Sequence, residues 1–235
     1  LTGSVNTATD LSIASGATLD LQSTQTFATL NLNGTISNST GSSALTITDT
    51  SNIGGSITTS GTQTYSGAVT LSADVTLTTT DSDITFSARV DGDGTARDLT
   101  IDMDNSGVSA DGTVQFVNTV GANDDLDVID ITGNLNLDAA ISNTTSLSVS
   151  GTSNLGADVT TSGTQTYTSG VTLSGADRTL TASTVNFVDT LAGGTNALTI
   201  TGNVDLDGAA TNLSTLSVSG TSNLGASVTT SSTQT

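Results

Sequence analysis

The segment VSGTSNLGADVTTSGTQT (149–166) returns as VSGTSNLGASVTTSSTQT (218–235), with only Asp158 exchanged for Ser227 and Gly163 for Ser232. A chain that restates itself at this length is built by repetition, and the intervals between restatements decide what can be repeated. The phrase Thr-Gln-Thr followed by an aromatic residue starts at Thr24, Thr62 and Thr164 and begins again at Thr233, giving intervals of 38, 102 and 69 residues. A second pair links ITFSARVDGDGTARDLTI (84–101) to VNFVDTLAGGTNALTI (185–200), with Phe86 matching Phe187 and Leu99 matching Leu198. Discrete β-sandwich modules need about 100 residues each, which suits one interval and neither of the others. A solenoid grows coil by coil, and coils of about 20 residues turn the three intervals into about two, five and three coils.

The local text agrees. ALTITD from Ala44, AVTLS from Ala68, DLTIDM from Asp98, SLSVSG from Ser146 and ALTITG from Ala197 place Leu, Val or Ile at every second position, with Thr, Ser or Asp between. That is the period of a strand with one buried and one wet face. Gly, Asn and Asp follow within a few residues, so the strands are short and the corners frequent. Glu, Lys and Pro are absent, which removes two strong helix formers and leaves β-formers and turn formers. The expected fold is all-β, a single continuous β-solenoid over residues 1–235 with about 11 coils, in which parallel strands stack about 4.8 Å apart into a rod about 50 Å long. Leu45, Ile47, Val69, Leu71, Leu99, Ile101, Leu147, Val149, Leu198, Ile200, Leu216 and Val218 are expected to point inward, and Phe86, Phe116 and Phe187 to stack inside. Thr46, Thr48, Thr76, Thr78, Thr199 and Thr201 are expected in outward hydroxyl rows, with Asn134, Asn154 and Asn203 laddering at corners. Neither end reads as a capping unit, and the expectation is a window on a longer repetitive chain.

A formal net charge of −19 with only three cations, Arg89, Arg97 and Arg178, excludes a nucleic-acid groove and argues against an anionic membrane surface. Without Cys there is neither a disulfide scaffold nor a zinc–thiolate site. No apolar run approaches the roughly 20 residues of a membrane span, so no membrane insertion by this segment is expected.

Carboxylates are the only candidate chemistry. In DGDGT (91–95), Asp91 and Asp93 stand two apart among glycines, with Asp98 following; Asp124, Asp125 and Asp127 form a second group, extended by Asp130. These are candidate calcium ligands, although Arg89 stands where an EF-hand loop has its first ligand and no closing Glu exists. Asp124 with Asp125 is also the best acid–base pair for polysaccharide cleavage, but no His or Lys accompanies it and no Arg lies near it in sequence. No catalytic residue and no required cofactor are expected.

The stretches GTQTYSGAVTLSADVTLTTTDSDITFSARVDG (61–92) and GTQTYTSGVTLSGADRTLTASTVNF (163–187) resemble the repeat text of large bacterial surface proteins of the filamentous-haemagglutinin type, which are secreted by two-partner or autotransporter routes. The resemblance implies a right-handed parallel β-helix, display outside the bacterial cell and a stalk or adhesive role. The functional expectation is a structural shaft without catalysis. A surface-binding module for carbohydrate, ice or calcium-bridged matrix is one alternative, and a subunit that polymerises end to end with neighbouring copies is another.

Overall fold

The computed structural model describes residues 9–104 and 111–235. Alternation and frequent corners do what their period dictates. The chain winds into a three-sided prism of short strands, with no helix among the described residues. The pairings are parallel, and each joins a strand to its counterpart one coil away. A first face begins with Leu11–Ile13, Leu30–Leu32, Ser51–Ile53, Val69–Leu71 and Val90–Asp91, and continues through bridges from Val90 to Val120 to Ile141. A second starts at Thr18–Asp20, Thr35–Ser37 and Ile57–Thr58, and a third runs through eleven strands from Gln25–Phe27 to Val228–Thr230. Eleven stacked strands on that face make the molecule a β-solenoid of about 11 turns. In the later coils the first two faces are joined into single long strands, Ile141–Val149, Arg178–Phe187 and Leu198–Leu206; register shifts at Ile141/Thr144 and Thr181/Thr184 mark the bend.

The core is one cluster running the length of the prism. Of the twelve aliphatic residues expected inside, all are buried except Val218, which is half-buried in the last coil. The aromatic residues stack as columns. Tyr65, Phe86 and Phe116 lie on consecutive coils of the third face, with ring centroids 5.1 and 5.2 Å apart, and Tyr167 lies 5.5 Å from Phe187 on the second. The column follows from parallel in-register pairing, which sets like side chains directly over one another at the strand spacing.

The repeat intervals count differently from the sequence reading. Gln25 and Gln63 are two coils apart on the third face, as expected. Gln165, however, lies on the second face, four and two-thirds coils beyond Gln63, and Gln234 bridges Leu216 on the first face, three and two-thirds coils later still. Each long restatement is therefore turned by one face. Corner geometry permits this because the phrase carries its corner with it. Thr59, Thr161 and Thr230 each donate to a carbonyl two residues on, at Gly61 (2.7 Å), Gly163 (3.3 Å) and Ser232 (2.9 Å).

Close stacking at corners also selects glycine. A Cβ on Gly55 would sit 1.8 Å from the carbonyl oxygen of Gly34 one coil below, so no other residue fits without moving backbone.

Candidate functional site

The two acidic segments come together. Their loops, between Asp91 and Arg97 and between Val120 and Leu126, stack at the corner joining the first and second faces. Asp91 is almost fully buried there. Its Oδ1 accepts the Asn123 N–H at 3.1 Å, and its Oδ2 accepts the Asn123 side-chain amide and the Arg89 Nε, both at 2.9 Å. The Gly92 N–H donates to the Asp124 carbonyl at 3.2 Å, and a Cβ on Gly92 would meet the Asp125 carbonyl oxygen at 2.5 Å, so glycine lets the two loops touch. Asp93 receives Arg97 through both Nε (3.0 Å) and Nη2 (2.9 Å); that guanidinium holds its carboxyl below the ordinary carboxylate range.

Asp98 has a structural task as well. Its Oδ1 accepts the Val128 N–H at 3.1 Å, while its own N–H donates to Asp74 at 3.2 Å, linking three consecutive coils at one corner. Asp124 and Asp125 are solvent-exposed, Asp127 is half-buried, and Asp130 faces outward in the rung between Thr100 and Ser148. Among the described residues no three carboxylates converge where a metal ion could be held. The acidic corner is thus a network of local pairs and inter-coil acceptors, and its unpaired carboxylates point to water.

All three cations are engaged. Arg89 and Arg97 pair with Asp91 and Asp93, and Arg178 donates to the carbonyls of Leu155 (3.1 Å), Asp177 (2.9 Å) and Ser174. None of the three guanidiniums pairs with Asp124 or Asp125.

Two features escaped the sequence reading. One is the burial of Gln25, Gln63 and Gln165, the last two each bonded to a buried tyrosine. The Gln63 side-chain amide donates to the carbonyls of Thr78 (3.0 Å) and Ile57 (3.4 Å) and to the Thr59 hydroxyl (3.3 Å), while its oxygen accepts the Tyr65 O–H at 2.9 Å. Gln165 repeats the set with Thr181, Val159, Thr161 and Tyr167. The signal was present: in Gln-Thr-Tyr the glutamine shares parity with the aromatic ring and must face the same way. Burial pushes both phenols well above their ordinary range. The other feature is the place of the amide ladder, which the sequence reading sets at corners for Asn154 as well. Asn154 donates to Asn136 at 2.8 Å on a flat face rather than a corner, and Asn52 donates to Asn31 at 3.1 Å. Asn134 and Asn203 do ladder at corners, each accepting from the next coil's threonine, Thr152 and Thr221.

No protein-family model matches the chain, and no curated protein or solved structure matches it significantly.

Proposed function

We propose that the chain is a segment of the shaft of an extracellular bacterial surface protein, and that its work is mechanical. The observation that carries this reading is the unbroken stack: one core cluster and three parallel ladders run from the first described coil to the last. Backbone hydrogen bonds in such a stack lie along the axis, so pulling on the rod loads them directly, and each coil added extends the rod and contributes its own interface to stability. Outward Thr and Asn rows keep the faces hydrated, and the formal charge of −19 opposes lateral clumping. Display outside the cell is supported by the repeat style, which resembles that of the filamentous-haemagglutinin type.

A shaft needs no catalytic group, and the engagement of Arg89, Arg97 and Arg178 with their neighbours fits that reading. The test is antibody raised against residues 9–235, applied to intact source cells and read by immunogold microscopy. Gold along fibres projecting from unpermeabilised cells is the expected result. Labelling that appears only after permeabilisation refutes the proposal.

A further inference from the structure

Two grooves on different faces are built from the same short text. On the first face Thr50-Ser51-Asn52 stacks between Leu30-Asn31 and Val69-Thr70; on the third, Thr152-Ser153-Asn154 stacks between Leu135-Asn136 and Val171-Thr172. In each groove the outward side chains form two rows with a trough between them that follows the rod axis. Successive rungs are about 4.8 Å apart and the two rows about 7 Å apart, from strand geometry. The troughs measure 410 Å³ on the first face and 530 Å³ on the third. Their outer rows are Asn31, Asn52, Thr70 and Asn136, Asn154, Thr172.

Within each row the ladder bond uses one amide hydrogen of the upper asparagine and the oxygen of the lower. The NH₂ groups of Asn31 and Asn136, the amide oxygens of Asn52 and Asn154, and the hydroxyls of Thr70 and Thr172 then have no hydrogen-bond partner among the described residues. Each groove thus offers donors, acceptors and hydroxyls at one-rung intervals. Charge narrows the ligand further. In a chain with 22 acidic residues, nothing lining the third-face groove is ionisable, and the first-face groove has only Arg89, at its end and held by Asp91. An anionic ligand would find no free cation, and a cationic ligand no carboxylate in the trough.

We propose that these grooves bind a neutral linear oligosaccharide laid along the axis of the rod. Sugar hydroxyls both donate and accept, which matches amide and hydroxyl side chains, and one pyranose unit in an extended chain is close in length to one rung. The floor of each trough is backbone with N–H groups already bonded between coils, at Leu30, Ser51, Leu135 and Ser153, so the polar rows on either side carry the free donors and acceptors that ring hydroxyls need. The inference goes beyond the mechanical reading and does not rest on it.

The test is titration of the ¹⁵N-labelled chain with cellohexaose as the neutral probe and hexagalacturonate as the anionic control, read by amide chemical shifts. Shifts gathered at 29–31, 50–52, 68–70, 134–136, 152–154 and 170–172 with cellohexaose alone are the expected result. Replacing both ladder asparagines (N52A with N154A) should weaken binding about fivefold at each groove, the worth of one net hydrogen bond. N186A, which removes an outward asparagine from the second face, should leave binding unchanged and control for folding. No shifts, shifts spread evenly over all three faces, equal binding of hexagalacturonate, or N52A/N154A binding as well as N186A would each overturn the proposal.

Discussion

Replacing Gln63 by leucine keeps side-chain volume and takes away one amide. In the native coil that amide joins the corner carbonyl of Ile57, the Thr59 hydroxyl, the carbonyl of Thr78 one coil on, and the phenol of Tyr65. Thr78 O keeps a second donor, the Thr59 N–H at 3.0 Å, and Thr59 Oγ1 keeps its bond to Gly61. The Tyr65 O–H keeps nothing. It is fully buried, and a buried donor left unpaired costs about 1–3 kcal/mol. Adding the net loss of one amide bond at about 1 kcal/mol, Gln63→Leu should destabilise by about 2–4 kcal/mol. Tyr65→Phe alone strands the Gln63 oxygen and should cost about 1–3 kcal/mol. The double variant removes both partners while the ring still stacks on Phe86, so its cost should fall short of the sum by at least about 1 kcal/mol. Urea unfolding checks this, read by far-ultraviolet circular dichroism, which is the same probe in every variant. Additivity within about 0.5 kcal/mol would refute the reading of Gln63 and Tyr65 as a coupled buried pair.

Gly55→Ala forces a Cβ into the Gly34 carbonyl and should destabilise by at least about 2 kcal/mol in the same assay; Gly16→Ala, at φ +76° with open space around it, should cost only the left-handed strain of about 1–2 kcal/mol. Phe86→Ala empties the middle of the three-ring column and should cost about 3–5 kcal/mol. The phenols of Tyr65 and Tyr167 are raised by burial, so the folded state holds its protons where the unfolded state has lost them. Their contribution is intact below the unfolded value of about 10 and declines as pH rises above it, and ultraviolet titration should show both tyrosines ionising together with unfolding. At the other end of the scale the lowered carboxyls of Asp93, held by Arg97, and Asp20, held by the Ser39 hydroxyl, favour the fold above the ordinary carboxylate range. Their contribution is lost as pH falls through the lowered values, and Asp93→Asn should flatten that part of the acid limb of a thermal melt measured against pH.

What was legible in the sequence was parity. Leu45 and Ile47, or Leu198 and Ile200, declare their inward side by alternation alone, and short strands with Gly and Asn at the corners declare a coil rather than a sheet. Phase was not legible. On the third face, partners one coil apart are separated by 18 residues from Ser153 to Val171 and by 30 from Ile84 to Val114, because corner loops differ in length. An interval of 102 residues therefore cannot distinguish five coils from four and two-thirds, and alternation reads the same on every face. The acidic segments were located but their meeting was not, since the contact of Gly92 with Asp124 depends on two loops widening at the same corner in successive coils. The pairs of Arg89 with Asp91 and Arg97 with Asp93 join residues two and four apart in the chain, within reach of a local ion pair on any face.

The turn of one face per restatement has a consequence for the surface. Repeats spaced by whole coils would set every copy of a ladder on one side of the rod. Here the ladder from Asn31 to Asn52 lies on the first face and the ladder from Asn136 to Asn154 on the third. The matching text of the last repeat puts Asn223 against Asp205 on the second face, at 2.8 Å. The ladder of one short phrase is thus set on three faces, and it ends on an amide oxygen on the first and third but on a carboxylate on the second. A rod of this kind presents an asparagine bonded to the coil beside it on each of its three sides, although at different heights along the axis.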